Sequence, residues 1–180
     1  LFRETERKIG DDANLIRAFP AMTGRIFSLA IGPKGKHLAA ASTLDGNSRV
    51  VVYPYDFDGA LPEEIKAILD KQVAQRSAEE VAKVNSFNSQ ISAATSSYDL
   101  PNNSLYAIAF SPDGRWLAAA SDDRRVYVWD IASTSSRVWE GHGDEVWELE
   151  FTPDSKSLIT SSKDSTLRIW DTGSSTQCGG

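Results

Sequence analysis

The sequence predicts an all-β chain of repeated four-stranded antiparallel sheets, interrupted by one α-helical segment. Three observations carry that prediction. Two stretches, "LYAIAFSPDGRWLAAASDDRRVYVWD" (105–130) and "VWELEFTPDSKSLITSSKDSTLRIWD" (146–171), align without a gap. A third, "IFSLAIGPKGKHLAAASTLDGNSRVVVYPYD" (26–56), follows the same pattern with three extra residues in its "STLDGNSR" turn. Residues 57–91 change to a three- and four-residue apolar spacing that belongs to helices.

Each repeat reads as three strands. The first alternates, with Val146, Glu148 and Glu150 set against Trp147, Leu149 and Phe151. "SPDG", "TPDS" or "GPKG" follows. Proline pre-sets the second position of a tight turn, and Gly or Ser completes it. The second strand is "WLAAAS" or "SLITSS", whose small side chains let a neighbouring sheet approach closely. The third, "RVYVWD", "TLRIWD" or "RVVVYP", is β-branched and aromatic. A fourth, weaker strand precedes each repeat: "NLIRAF" (14–19), "SAATSS" (92–97) and "SRVWE" (136–140).

The 41-residue interval from Pro112 to Pro153, the Gly141–His142 pair, and the pairs Trp129–Asp130 and Trp170–Asp171 resemble the WD-repeat β-propeller family. The last repeat matches strongly, the middle one well, and the first is degenerate, with Tyr53 in place of Trp. The same-phase repetition of Pro, Trp and Asp argues against a β-sandwich, the alternative for such strand spacing. The resemblance implies β-propeller blades of four antiparallel strands, three of them in this chain. The expected layout is an N-terminal extension (1–13) and an outer strand for ring closure (14–19). The first blade core (25–56) and the helical insertion (57–91) follow. Next come the first blade's outer strand with the second core (92–130), the second outer strand with the third core (136–171), and a tail (172–180). Propellers close with four to eight blades. A dimer giving six blades, or the remaining blades of a parent protein, is therefore expected. The sequence after "RIWD" stops where an outer strand is due.

In the insertion, Pro62 followed by Glu63 and Glu64 marks a helix start, with acids at the positive end of the dipole. "SAEE" (77–80) fits a capping box. Leu61, Ile65, Ile68, Leu69, Val73, Val81 and Val84 form an apolar stripe. The reading is an amphipathic helix or helical hairpin between the third and fourth strands of the first blade.

His142, Thr160 and Asp164 are the ingredients of a hydrolase triad as well as of a brace. The resemblance implies the brace, a structural hydrogen-bond tetrad of His142, Thr160, Asp164 and Trp170. The middle repeat keeps a partial tetrad, Asp123 and Trp129, with Ala119 at the hydroxyl position; the first has Ala40 and Tyr53. No Gly-x-Ser-x-Gly elbow occurs, and Thr160 lies mid-strand, so no catalytic residue is assigned. His37 has no second ligand at metal spacing and reads as an exposed turn residue, so no metal is expected. No C-x-x-C-H haem motif is present, and no cofactor is expected.

Net charge is −6 and the single cysteine is Cys178. The acidic balance points away from nucleic acid, which needs a concentrated basic surface. No run of 18 apolar residues encodes a membrane span, and "LFRETERKIGDD" lacks the apolar region of a signal peptide. A soluble protein of unassigned compartment is expected, with neither nucleic acid nor membrane as partner. The resemblance implies a non-catalytic scaffold for protein–protein interaction or assembly. By family position, Arg25, Ser104, Asp122, Glu145 and Lys163 face the binding loops, with a protein or peptide as partner. The alternative is a propeller module of a larger bacterial multidomain enzyme or electron-transfer protein, with the chemistry outside this chain.

Overall fold

A computed structural model describes residues 19, 21–54, 62–91 and 93–173. The described residues form two compact units, one of residues 19, 21, 62–91 and 93, the other of residues 22–54 and 94–173.

The second unit is three antiparallel sheets. The first orders β1 (Arg25–Ile31), β2 (His37–Leu44), β3 (Asn47–Pro54) and β4 (Ser96–Leu100). The second orders β5 (Leu105–Phe110), β6 (Trp116–Ser121), β7 (Arg125–Asp130) and β8 (Ser136–Glu140). The third holds β9 (Val146–Phe151), β10 (Ser157–Ser162) and β11 (Leu167–Asp171). The expected strand over 14–19 lies, apart from Phe19, outside the described residues. The array is an open one, a partial propeller. Its sheets touch along the inner strands β1, β5 and β9.

Turn chemistry sets the strand spacing. Asp45 and Gly46 both take positive φ, 50° and 74°, the two-residue reversal that joins twisted strands. In the second sheet Ser111 Oγ lies 2.5 Å from Asp113 Oδ1, and the Gly114 amide bonds back to Ser111 O. In the third sheet Thr152 donates to Asp154 at 2.6 Å, and Ser155 takes the positive φ of Gly114. Asp130 closes the turn after β7 by accepting from the Ala132 and Ser133 amides, both at 3.0 Å, and from Arg115.

Each sheet has a face toward the preceding sheet, here its leading face, and one toward the next, its trailing face. Trailing Ala30, Ala39, Ala41, Val50 and Val52 of the first sheet bury Leu105, Ile108, Leu117 and Trp129 on the leading face of the second. Trailing Ala118, Ala120, Val126 and Val128 of the second bury Val146, Leu149, Phe151, Leu158 and Trp170 of the third. Small residues on one side thus receive large ones on the other, which keeps the interior close-packed. Trp116 is also covered by the Arg115 and Arg137 guanidiniums, 4.5 and 4.8 Å from its ring centre.

The simple alternation expected for the first strand of each repeat is corrected. Every inner strand carries a register shift, at Ile26/Ser28, Leu105/Ala107, and opposite Ser161/Ser162 in β9. The extra residue turns Val146 into the core beside Leu149 and sends Trp147 out to solvent. His37 opens β2 instead of sitting on a turn; it is half-buried with its ring 6.3 Å from Phe110. The strand expected over 92–97 pairs with β3 at 96–100, because Thr95 leads into it by donating to Val52 O.

The other unit is a helical hairpin of α1 (Glu63–Leu69) and α2 (Ala78–Ile91). Ser77 and Glu80 form the capping box: the Ser77 amide donates to Glu80 Oε2 at 2.9 Å, and the Glu80 amide to Ser77 Oγ at 3.2 Å. Ile65, Ile68 and Val84 are buried, while Leu69 and Val81 of the expected stripe are exposed. Ion pairs Lys71–Glu80 and Lys83–Glu64 link the two halves.

Leu117→Ala should cost about 2–5 kcal/mol in chemical denaturation, because it empties a fully buried site. Leu167→Ala, on an open face, should change stability by less than about 0.5 kcal/mol.

Candidate functional site

The third sheet brings together His142, Thr160, Asp164 and Trp170. His142 enters on the loop before β9, Thr160 lies mid-β10, Asp164 sits in the β10–β11 turn and Trp170 is the penultimate residue of β11. Trp170 Nε1 donates to Thr160 Oγ1 at 2.8 Å. Thr160 Oγ1 lies 2.7 Å from His142 Nε2, and His142 Nδ1 lies 2.9 Å from Asp164 Oδ2. With the imidazole neutral, the two ends of this chain determine every proton in it. Indole can only donate and a carboxylate can only accept. Thr160 therefore gives its proton to Nε2, and the ring carries its own on Nδ1.

That order of bonds is also the order of a hydrolase triad. Thr160 differs from a nucleophile in access and in occupancy. It is 1% exposed, and its oxygen already accepts the indole N–H. His142 is likewise buried, with its ring centre 5.9 Å from Trp170. Trp170 in turn stacks on Trp139 of the second sheet at 5.6 Å. The polar chain thus ends on an aromatic pair that bridges two sheets.

Asp164 accepts more than the histidine proton. The Thr166 hydroxyl, the Gly143 amide and the Thr166 amide also donate to it, at 2.6, 2.8 and 2.8 Å. These donors, Thr166 first, hold its carboxyl well below the ordinary 3.8.

The middle blade arranges its residues differently. Asp123 and Trp129 are not joined to one another. Asp123 Oδ2 accepts the Tyr127 hydroxyl at 2.6 Å, and Asn103 Nδ2 donates to the same hydroxyl at 3.2 Å. Trp129 stacks between Tyr98 (4.7 Å) and Tyr127 (6.3 Å). Tyr127 was the unread member; its strand position gave no polar signal beside Val126 and Val128.

The loop-face residues fall into equivalent pairs. Arg25 and Thr43, Ser104 and Asp122, and Glu145 and Lys163 occupy the same position in successive sheets. The Ser104 amide donates to Asp122 Oδ1 at 2.8 Å, and Lys163 Nζ to Glu145 Oε1 at 3.0 Å. Tyr106 OH and Trp147 Nε1 both donate to Glu145 Oε2 at 3.2 Å. Lys163 first, then Trp147 and Tyr106, hold the Glu145 carboxyl below its usual range. Among the described residues, no hydrogen bond or ion pair joins Arg25 to the other four. Sequence reasoning missed the aromatics. Phe27, Tyr106 and Trp147 stand at one repeat position, all three exposed, Trp147 by 52%. Their shared phase is the signal that would have found them.

Among the described residues, no group of three or more His, Cys, Asp and Glu side chains is placed to hold a metal ion. No helix among them is long and apolar enough to cross a membrane.

Thr160→Val should destabilise the chain by about 1–3 kcal/mol, since the indole N–H and His142 Nε2 lose their partner inside the core. Asp164→Asn should show a pH-dependent penalty. A carboxyl depressed in the folded state adds stability that is complete above the ordinary 3.8 and drains away as pH falls below it. The melting-temperature gap between wild type and D164N should be widest near neutral pH and close in acid.

The family description "WD domain, G-beta repeat" matches residues 94–130 and 133–171. No curated protein matches the chain.

Proposed function

Taking as premise that the chain belongs to the WD-repeat family, we propose that it is a non-catalytic propeller scaffold that binds a protein partner through the loop face carrying Arg25, Ser104, Asp122, Glu145 and Lys163. WD repeats generally mediate protein–protein interaction. The observation that carries the reading to this face is the Glu145 cluster. One carboxylate gathers Lys163, Tyr106 and Trp147, and leaves the aromatic rings in water. Exposed aromatics ringed by charge are the usual anchors of a protein interface. Phe27 extends the aromatic row toward Arg25.

In this reading the His142–Thr160–Asp164–Trp170 chain is a brace. It holds the β10–β11 turn and the entry loop of β9, and so fixes where Glu145 and Lys163 stand. The Thr160 hydroxyl is spent on its two neighbours, which supports a structural role over an acyl-transfer role. The open faces of the array are completed by further blades, which brings the ring to the size propellers require.

The test is affinity capture of a partner by the chain, followed by titration with variants. Trp147→Ala should weaken binding by at least about 30-fold, the effect of losing one hot-spot residue. Glu145→Ala with Lys163→Ala should weaken it less, and neither variant should lower the melting temperature. Unchanged affinity in Trp147→Ala would remove this face from the reading. Ester hydrolysis abolished by Thr160→Ala in a folded chain would overturn the non-catalytic assignment.

A further inference from the structure

The repeat supplies an internal standard for the outermost sheet face. Register places Glu150, Ile159 and Ile169 in one row on the trailing face of the third sheet, and Glu148, Ser161 and Leu167 in the next. The same positions on the second sheet are Ala109, Ala118 and Val128, then Ala107, Ala120 and Val126. On the first sheet they are Ala30, Ala39 and Val52, then Ser28, Ala41 and Val50. Where a neighbour packs, these positions are covered: Val126 is fully buried and Val128 is 1% exposed. On the third sheet Leu167 is 74% and Ile169 65% exposed. An apolar face of that kind calls for a partner.

Its composition says which partner. The first two trailing faces are built of alanine, valine and one serine, and each receives a strand bearing bulky apolar side chains. Leu149 and Phe151 share one buried cluster with Ala107 and Ala109, for example. The third trailing face has glutamates at those two positions and larger aliphatics beyond them. Among the described residues, neither Glu148 nor Glu150 forms an ion pair; Glu148 Oε1 accepts only the neighbouring Leu149 amide.

The first sheet of a second copy would bring Ile26, Leu29 and Ile31, its exposed inner-strand residues, onto this face. That contact would bury two carboxylates against aliphatic carbon, at a heavy desolvation cost that none of these three side chains offsets with a charge. It would also crowd isoleucine and leucine into space that the other interfaces leave to alanine and valine.

We propose that the trailing face of the third sheet docks a β-sheet blade whose inner strand presents lysine or arginine opposite Glu148 and Glu150, and that it rejects the first sheet of a second copy. This rests on reading the sheets as propeller blades, and it decides between the two ways of completing the array. The carboxylates act as a selector: they penalise the chain's own apolar leading faces and reward a basic one.

The test puts a lysine where the inference requires one. Leu29 and Ile31 are exposed, so Leu29→Lys and, as a second variant, Ile31→Lys leave the buried core intact. Self-association is measured by sedimentation equilibrium at about 0.05 and about 0.5 M salt, a range over which screening changes strongly. The L29K or I31K chain should self-associate at least about tenfold more tightly than wild type at low salt. That gain should vanish at high salt, and it should vanish when Glu148→Lys and Glu150→Lys are added. Wild type that associates as tightly as the lysine variants overturns the proposal, and so does the absence of any gain in both. Partner capture through Trp147 is read separately, so failure of one assay does not decide the other.

Discussion

No sheet in this chain can keep its apolar side chains from water by itself. Leu117 and Ala118 are neighbours on β6 that point to opposite faces, and both are fully buried. A strand with both faces covered needs a sheet on each side. This constraint accounts for the alanine runs on β2 and β6, which make room for the Leu, Phe and Trp side chains of the next sheet. It also accounts for the polar stitches between sheets. Ser28 Oγ accepts the Ile108 amide at 3.1 Å, and Ser155 Oγ accepts the Asp113 amide at 3.0 Å. The loop face and the histidine chain are both positioned by this stacking.

Two adjacent blades solve one local problem in different ways. Each must hold its turn between second and third strands against its entry loop. In the third sheet the link runs through buried polar atoms, from Asp164 to Trp170. In the second, Ala119 removes the hydroxyl, and the link moves to the Tyr127 phenol, which reaches both Asp123 and Asn103. The aromatic ring then does double service, because it also stacks on Trp129. A phenol on a long side chain can replace a short hydroxyl plus an imidazole when the strand below is alanine.

Much of the architecture was legible because it repeats. Pro112 and Pro153, or Trp129 and Trp170, occupy one phase, and phase survives without knowledge of any contact. The residues His142, Thr160, Asp164 and Trp170 could be picked out only through the family resemblance, since the other repeats carry alanine at the hydroxyl position and no matching histidine. What could not be read depends on pairing between distant segments. The register shift that buries Val146 and exposes Trp147 is a property of β9 and β10 together. The start of β4 depends on where β3 offers carbonyls, 43 residues earlier. Leu69 and Val81 fit a helical stripe by spacing, yet among the described residues the short hairpin covers Ile65, Ile68 and Val84 and leaves these two exposed. The Tyr127 link was hidden because tyrosine in a β-branched strand looks like packing alone.

The stacked arrangement has a dynamic consequence. Only the second sheet is covered on both sides by described strands, while the first and third are each open on one inner-strand face. In a linear array whose layers are stabilised by their neighbours, cooperativity weakens toward the ends. Amide hydrogens of β6 therefore exchange by the rarest, most global openings, and those of β1 and β11 by local fraying. The loops of the Glu145 cluster sit on the third sheet, at the looser end of that gradient. Covering its trailing face would slow exchange there without a single new contact to the loops themselves.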